Sequence, residues 1–333
     1  MATLFPFSEY WWFYLLFLCF IFVVLLLDLG IFHKKAHEVS FKEAMVWTCI
    51  WVSLALLFNY GLYLYCLHVL PQSPHLPAGA DAQKLSGQMA LEFLSGYVTE
   101  QALSVDNLFV FVVVFKFFGI PQKMQHRVLF FGFLGAILCR GSFITLGAML
   151  MSYQAVIIFF GAFLIFTGFK MFFAPEKPIE PEKNPIIRLI KKFLPVSHTL
   201  DGQNFFTREN GILMATPLFV CLIFLEITDV VFAVDSVPAI FALTKEPLIV
   251  FTSNACAILG LRSMYFMLAR IMDKFHFLKY GLAFVLIFVG VKMAWLNEKF
   301  EGHFPIGVSL GIIAGVILIS VTLSFIFPQQ EAV

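Results

Sequence analysis

Charged residues make up only 13% of this 333-residue chain, about half the share found in soluble globular proteins. With 60% hydrophobic residues, 43 Phe and a mean hydropathy of +0.90, that scarcity excludes a soluble domain and points to a polytopic membrane protein. No basic excess exists either: the net charge is +1, which argues against nucleic acid as a partner. The six cysteines (Cys19, Cys49, Cys66, Cys139, Cys221, Cys256) stand singly in apolar segments, without a Cys-x-x-Cys pair for zinc or a redox couple, and read as small core residues. All eight histidines fall in loops or at expected helix ends, so an imidazole metal site inside the spans is not expected. The first apolar stretch has Glu9 in place of a basic lead-in and no small-x-small exit, so it reads as a retained helix and not a cleaved signal.

What is present is a series of apolar runs of about 20 residues, the length a helix needs to cross ~30 Å of hydrocarbon. Nine spans are expected, near residues 10–32, 44–67, 88–115, 128–150, 154–173, 212–243, 248–269, 277–296 and 305–327. Fifteen Lys and Arg fall in the connections after helices one, three, five and seven, against three (Lys84, Lys245, Lys299) on the other side. The excess places the amino terminus outside and the carboxyl terminus in the cytoplasm.

The chain repeats itself. Glu100 and Asp106 have the same spacing as Asp229 and Asp235, and Arg140 and Lys170 the same spacing as Arg262 and Lys292. The last pair sits in Phe-Thr-Gly-Phe-Lys-Met in one copy and Phe-Val-Gly-Val-Lys-Met in the other. The fold class expected is therefore all-α and polytopic, with two three-helix units, 88–173 and 212–296. Three is odd, so the second unit enters the membrane from the opposite side, the inverted-repeat plan of secondary transporters. Residues 1–87 then hold two peripheral helices, 174–211 form a proline-rich basic cytoplasmic linker, and 297–333 hold a ninth helix and tail.

The residues that carry chemistry are carboxylates inside these spans, where each costs roughly 2.5 to 3.5 kcal/mol unless partnered, hydrated or bound to a cation. Residues seven apart on a helix share a face, so Glu100 aligns with Asn107 and Asp229 with Ser236, while Glu226 joins Asp229 at a spacing of three. Asp106 and Asp235, six residues on, point elsewhere on an ideal helix. Pro238 would permit a local break, so unwinding near Asp235 in the sixth helix is expected. Glu100, Asp106, Asn107, Glu226, Asp229, Asp235 and Ser236 together form a hard oxygen set suited to magnesium, calcium or manganese and poor for copper or zinc. Arg140 and Arg262 are expected as counter-charges, and Lys170 and Lys292 as snorkelling residues. Asp28 is a candidate for the ion pathway, Asn59 for a helix–helix hydrogen bond, and Glu92 is expected to face water. The enzyme alternative, an intramembrane aspartyl hydrolase using Asp106 and Asp235, lacks the Gly-x-Gly-Asp context and leaves four further intramembrane charges without a role. A non-enzymatic transporter with no prosthetic group is the expectation.

The segments Glu100 to Phe111 and Leu225 to Ala242, with Ala-Val-Asp-Ser-Val-Pro-Ala-Ile-Phe-Ala at 233–242, resemble the TerC family, and most closely its Alx-like branch. So do Thr-Ser-Asn-Ala-Cys-Ala-Ile-Leu-Gly-Leu-Arg-Ser-Met-Tyr-Phe at 252–266 and Leu-Lys-Tyr-Gly-Leu-Ala at 278–283. The similarity runs from about residue 10 to 327. One departure is Gln101, where Lys is common in the family. The resemblance implies a protein of the bacterial cytoplasmic membrane that exports Mn2+ as its substrate, with the seven residues above at the family's acidic signatures. It also allows a second role, in supplying metal to secreted proteins or assisting them at the translocation machinery. The partners expected are thus a divalent cation, protons, the lipid bilayer and, on that second role, the translocon.

Overall fold

The computed structural model describes residues 3–27, 39–77, 79–150, 153–173, 195–197, 199–209, 211–269, 277–300 and 304–327; within them the side chains of Asp106, Phe109, Val113, Lys116, Phe117 and Asp235 are not described. Nine long helices account for nearly all of it: α1 (Phe7–Leu27), α2 (Phe41–Val69), α3 (Ala82–Phe117), α4 (Gln122–Leu150), α5 (Gln154–Phe173), α6 (Pro217–Phe241), α7 (Pro247–Leu268), α8 (Leu278–Val291) and α9 (Ile306–Ile326). α8 continues as a π turn, Lys292–Leu296, and a last helical turn, Asn297–Lys299. Among the described residues eight helices are long and apolar enough to cross a membrane. The ninth, α3, carries Glu92, Glu100 and Asp106 within its apolar sequence.

The starts of the helices follow local chemistry. Ser40 and Glu43 form a capping box on α2: the Glu43 N–H donates to Ser40 Oγ (3.2 Å) and the Ser40 N–H to Glu43 Oε2 (3.4 Å). Pro217 and Pro247 occupy the first helical positions of α6 and α7, where a missing N–H is harmless. The sixth span begins later than the hydropathy alone indicates. Residues Ile212–Ala215 form strand β2, paired antiparallel with β1 (Phe206–Glu209), because Gly211 turns the chain at φ +81°. The break expected near Asp235 is also absent: α6 runs unbroken from Pro217 to Phe241. Pro238 lies in its last turn, where losing one backbone hydrogen bond and displacing one carbonyl is tolerated.

α7 is the axle of the bundle, with 94% of its most apolar window buried, against 17% for α1, α5 and α9. It packs on α2, α3 and α4, and its buried Thr252, Ser253, Asn254, Arg262 and Ser263 give the core a polar interior. The peripheral helices instead present Trp11, Leu16, Leu57, Leu318 and Phe325 outward, as lipid-facing helices do.

The two groups of three helices contact each other reciprocally: α3 packs on α7 as α6 packs on α4, and α5 lies against α8. A Cβ built at Gly168 would come within 2.7 Å of the Ala283 carbonyl oxygen, and one at Gly290 within 2.6 Å of the Gly161 carbonyl oxygen. The offset that superposes Arg140 on Arg262 also superposes Gly161 on Ala283 and Gly168 on Gly290. The backbones here approach as closely as small-residue membrane interfaces allow. Gly290→Leu must therefore push α5 from α8 and is expected to cost about 1 to 3 kcal/mol, with Gly168→Leu costing a similar amount. Thermal unfolding in detergent measures both; equal stability of the variants and the parent would show that the contact carries no packing energy.

Candidate functional site

Four helices bring polar side chains to one point at mid-span. Arg140, at the centre of α4 and 1% exposed, donates from Nε to Asp229 Oδ2 (3.2 Å) and from Nη2 to Asp229 Oδ1 (3.0 Å), a bidentate grip on the midpoint of α6. Its Nη1 donates to Glu100 Oε1 on α3. Ser104 Oγ, one turn along α3, donates to the same oxygen (3.0 Å), and Asn254 Nδ2 of α7 donates to Glu100 Oε2 (3.0 Å). Glu100 is fully buried and Asp229 6% exposed, so neither carboxylate is left to water or lipid. Guanidinium geometry explains why arginine stands here: its planar fork satisfies two carboxylates at once, which a lysine cannot.

Among the described residues the charges in this centre do not balance. Glu226, one turn before Asp229 on α6, is half-buried and makes no hydrogen bond or ion pair among the described residues. Its carboxylate occupies the space that a side chain at Gly135 of α4 would fill. Among the described residues Glu100 and Asp229 share the Arg140 guanidinium, and Glu226 stands one turn from Asp229 without an ion pair. The hydroxyl of Ser236, two turns beyond Asp229, is buried and has no partner among the described residues, and nor has that of Thr99 beside Glu100. Asn107 is buried on α3.

The remaining candidates are distributed differently. Asp106 and Asp235 lie on α3 and α6, but their side chains are outside the description, and Asp28 lies outside the described residues altogether. Arg262 is buried and lines a small cavity with Leu25, Phe130, Phe133, Ile137, Ile258 and Leu259. Lys170 is exposed near the end of α5, as snorkelling requires. Lys292 does not snorkel: it is 2% exposed in the π turn, and its charge acts on Glu92. Glu92 in turn does not face water but is 6% exposed, accepting from Thr244 Oγ1 (2.5 Å) and Gln88 Nε2 (2.8 Å). Asn59 leaves its Oδ1 without a partner among the described residues. Gln101 ties α3 to α7 by donating from Nε2 to the Ala257 carbonyl (3.1 Å). Among the described residues no three His, Cys, Asp or Glu side chains converge where one metal ion could touch them all. Arg140 instead engages both Glu100 and Asp229.

A family model described as "Integral membrane protein TerC family" matches residues 85–332, a stretch that contains every acid of this centre. The chain belongs to the TerC family. It is 46% identical over 311 residues to an uncharacterised membrane protein of Myxococcus xanthus, covering 93% of this chain and 91% of the relative. It is 42% identical over 300 residues to an Escherichia coli K12 protein named "Putative membrane-bound redox modulator Alx", covering 90% of this chain and 89% of that one. The Photorhabdus laumondii protein of the same name is 43% identical, with 93% of each chain covered. No solved structure matches. This TerC protein is therefore an integral membrane protein with close relatives across bacteria.

The partners of Glu100 were only partly visible beforehand. Ser104 stands at i+4 from Glu100 and Asn254 is a lone amide amid an apolar span; both spacings are signals once one knows where to look. Gly135 gave no local signal, because its role is to leave room for a carboxylate on another helix.

Proposed function

We propose that this TerC protein transports a hard divalent cation, Mn2+ before others, through the acidic centre between helices α3 and α6. The observation that supports this is the charge imbalance among the described residues at mid-membrane: three carboxylates, Glu100, Glu226 and Asp229, near the one guanidinium of Arg140. Each uncompensated charge there is expensive, and a visiting cation removes the expense. An all-oxygen donor set favours manganese, magnesium or calcium over copper and zinc, and the family resemblance favours manganese among these.

On this reading Arg140 is a tethered counter-ion. It holds Glu100 and Asp229 while the site has no cargo, and Glu226, the one acid of the three with neither hydrogen bond nor ion pair, meets the cation first. Asp229 then exchanges the guanidinium for the metal, with Ser236 and Asn107 as further oxygen donors. Helices 88–173 and 212–296 act as oppositely inserted units that rock about the site, a reading supported by the reciprocal glycine contacts of α5 and α8. The basic excess in the connections after the odd-numbered helices supports an amino terminus outside, and the family resemblance favours export as the direction. Carboxylates that bind metal must give up protons, which supplies exchange with an inward proton gradient.

The test is metal uptake by reconstituted vesicles, scanned across manganese, calcium, magnesium and zinc at two pH values. Saturable manganese uptake that exceeds zinc uptake and rises with the pH difference is expected. Vesicles that move none of the four metals would overturn the reading.

A further inference from the structure

The segment ahead of α1, residues 3–6, is tied into the bundle although α1 itself presents side chains outward. Leu4 is 7% exposed and Phe5 1%. The Leu4 N–H donates to Glu246 Oε1 at 2.7 Å, and the Phe5 N–H approaches Oε2 at 3.4 Å. The Phe5 ring meets Tyr10 edge-on at 5.0 Å and leans on Tyr65 at 6.4 Å, and Cys66 beneath them is fully buried. Glu246 precedes the first turn of α7, outside the spanning segments, and its N–H donates to Thr244 Oγ1 (3.2 Å), which in turn donates to Glu92. A chain of bonds thus runs from the segment to α3 at Glu92, two turns (about 12 Å) from Glu100. The acid centre ties up none of these groups.

We propose that residues 3–6 are a strap closing this end of the bundle and that the Glu246 carboxyl group is its latch, held down when neutral and lifted when ionised. Ionised, Glu246 puts a second negative charge beside Glu92 in a pocket closed to water. Neutral, Glu246 still offers an oxygen to accept the short bond from the Leu4 N–H. The groups facing Glu246 are Tyr14 on α1, Cys66 on α2, His75 in the loop after α2 and Glu92 on α3, while Lys245 and Lys292 act on Glu92. Burial foremost, with Glu92 adding to it, lifts the carboxyl from its ordinary 4.5 to about 7, against the pull of the Leu4 and Phe5 amides and of His75. The closed state therefore binds the proton more tightly than a hydrated, open one. Acid keeps the strap shut, and raising the pH through about 7 opens it. Its role as the outer gate of an ion path rests on the transport reading above; its movement does not.

Cys66 is a built-in reporter. In nanodiscs, with Cys19, Cys49, Cys139, Cys221 and Cys256 replaced by Ala, its rate of modification by a charged methanethiosulfonate is compared with that of Gln72→Cys in a chain also carrying Cys66→Ala. The ratio is expected to rise about tenfold from pH 6 to pH 8, the change linkage gives for a carboxyl moving between 4.5 and about 7. Glu246→Gln should stay slow at both pH values, since Gln keeps an acceptor for Leu4, and Glu246→Ala should be fast at both. Should the cysteine replacements unfold the protein, hydrogen exchange of the Leu4 and Phe5 amides in the unaltered chain, corrected for intrinsic rates, reads the same motion. Ratios or corrected exchange that are flat with pH, and equal in parent and Glu246→Gln, overturn the strap. Cation flux in vesicles is a separate reading, so failure of transport and failure of the latch give different results.

Discussion

Arg140→Met lowers the stability of the folded protein by about 3 to 5 kcal/mol, the cost of removing one partner from a buried ion cluster. The loss arises because Glu100 and Asp229 then face each other inside the bundle, with the bidentate grip on Asp229 and the contact to Glu100 both gone. Glu100 keeps Ser104 and Asn254, neither of which carries charge, so the excess stays negative. Neutralising all three members together, as Glu100→Gln, Arg140→Met and Asp229→Asn, removes the buried charge and should recover most of the lost stability. Unfolding of the detergent-solubilised variants, followed by the intrinsic tryptophan signal, decides it. If the single and triple variants melt alike, the triad does not carry the charge balance. A stable triple variant also separates two roles of the same residues: as a purely structural clamp it would still transport, whereas as the cargo site it would be folded and inactive.

The nine helices were legible because length and apolarity are one-dimensional properties of a membrane span. α3 was legible as well, despite its acids, since the surrounding apolar residues outnumber them. What escaped was set by contacts between helices distant in sequence. Glu92 stands near the start of the span expected at 88–115 and Lys292 at the end of α8, where a charged side chain usually finds water, and the packing of α3 and of the π turn buries them. Pro238 suggested a break beside Asp235, but a proline in a last turn removes little, and the helix runs through. The centre itself was half legible. Glu100, Glu226 and Asp229 were recognisable as intramembrane acids and Arg140 as a counter-charge, but which acid Arg140 would grip with both nitrogens depended on how α4 faces α6. Spacing along one helix says nothing about that angle.

Glu226→Gln is the sharpest test of function, because this acid has no structural bond to lose. It makes no hydrogen bond or ion pair among the described residues, so the amide loses no contact and, by removing an unpaired charge at mid-span, should leave stability equal to or above the parent's. If Glu226 receives the cation, removal of its charge should lower metal flux in vesicles at least tenfold, since a single lost charge contact of about 1.4 kcal/mol already gives that factor. Asp106→Asn and Asp235→Asn, on the same helices, are expected to abolish flux while leaving membrane insertion intact. Gly135 supplies an independent route to the same result: Gly135→Ala places a methyl group where the Glu226 carboxylate lies and must displace it without changing any charge. A displaced carboxylate weakens cation binding and leaves net charge untouched, so loss of flux in Gly135→Ala would trace to geometry and loss in Glu226→Gln to charge. Normal flux in both would move the cation path away from α6 and leave the triad as a fixed strut between the two halves.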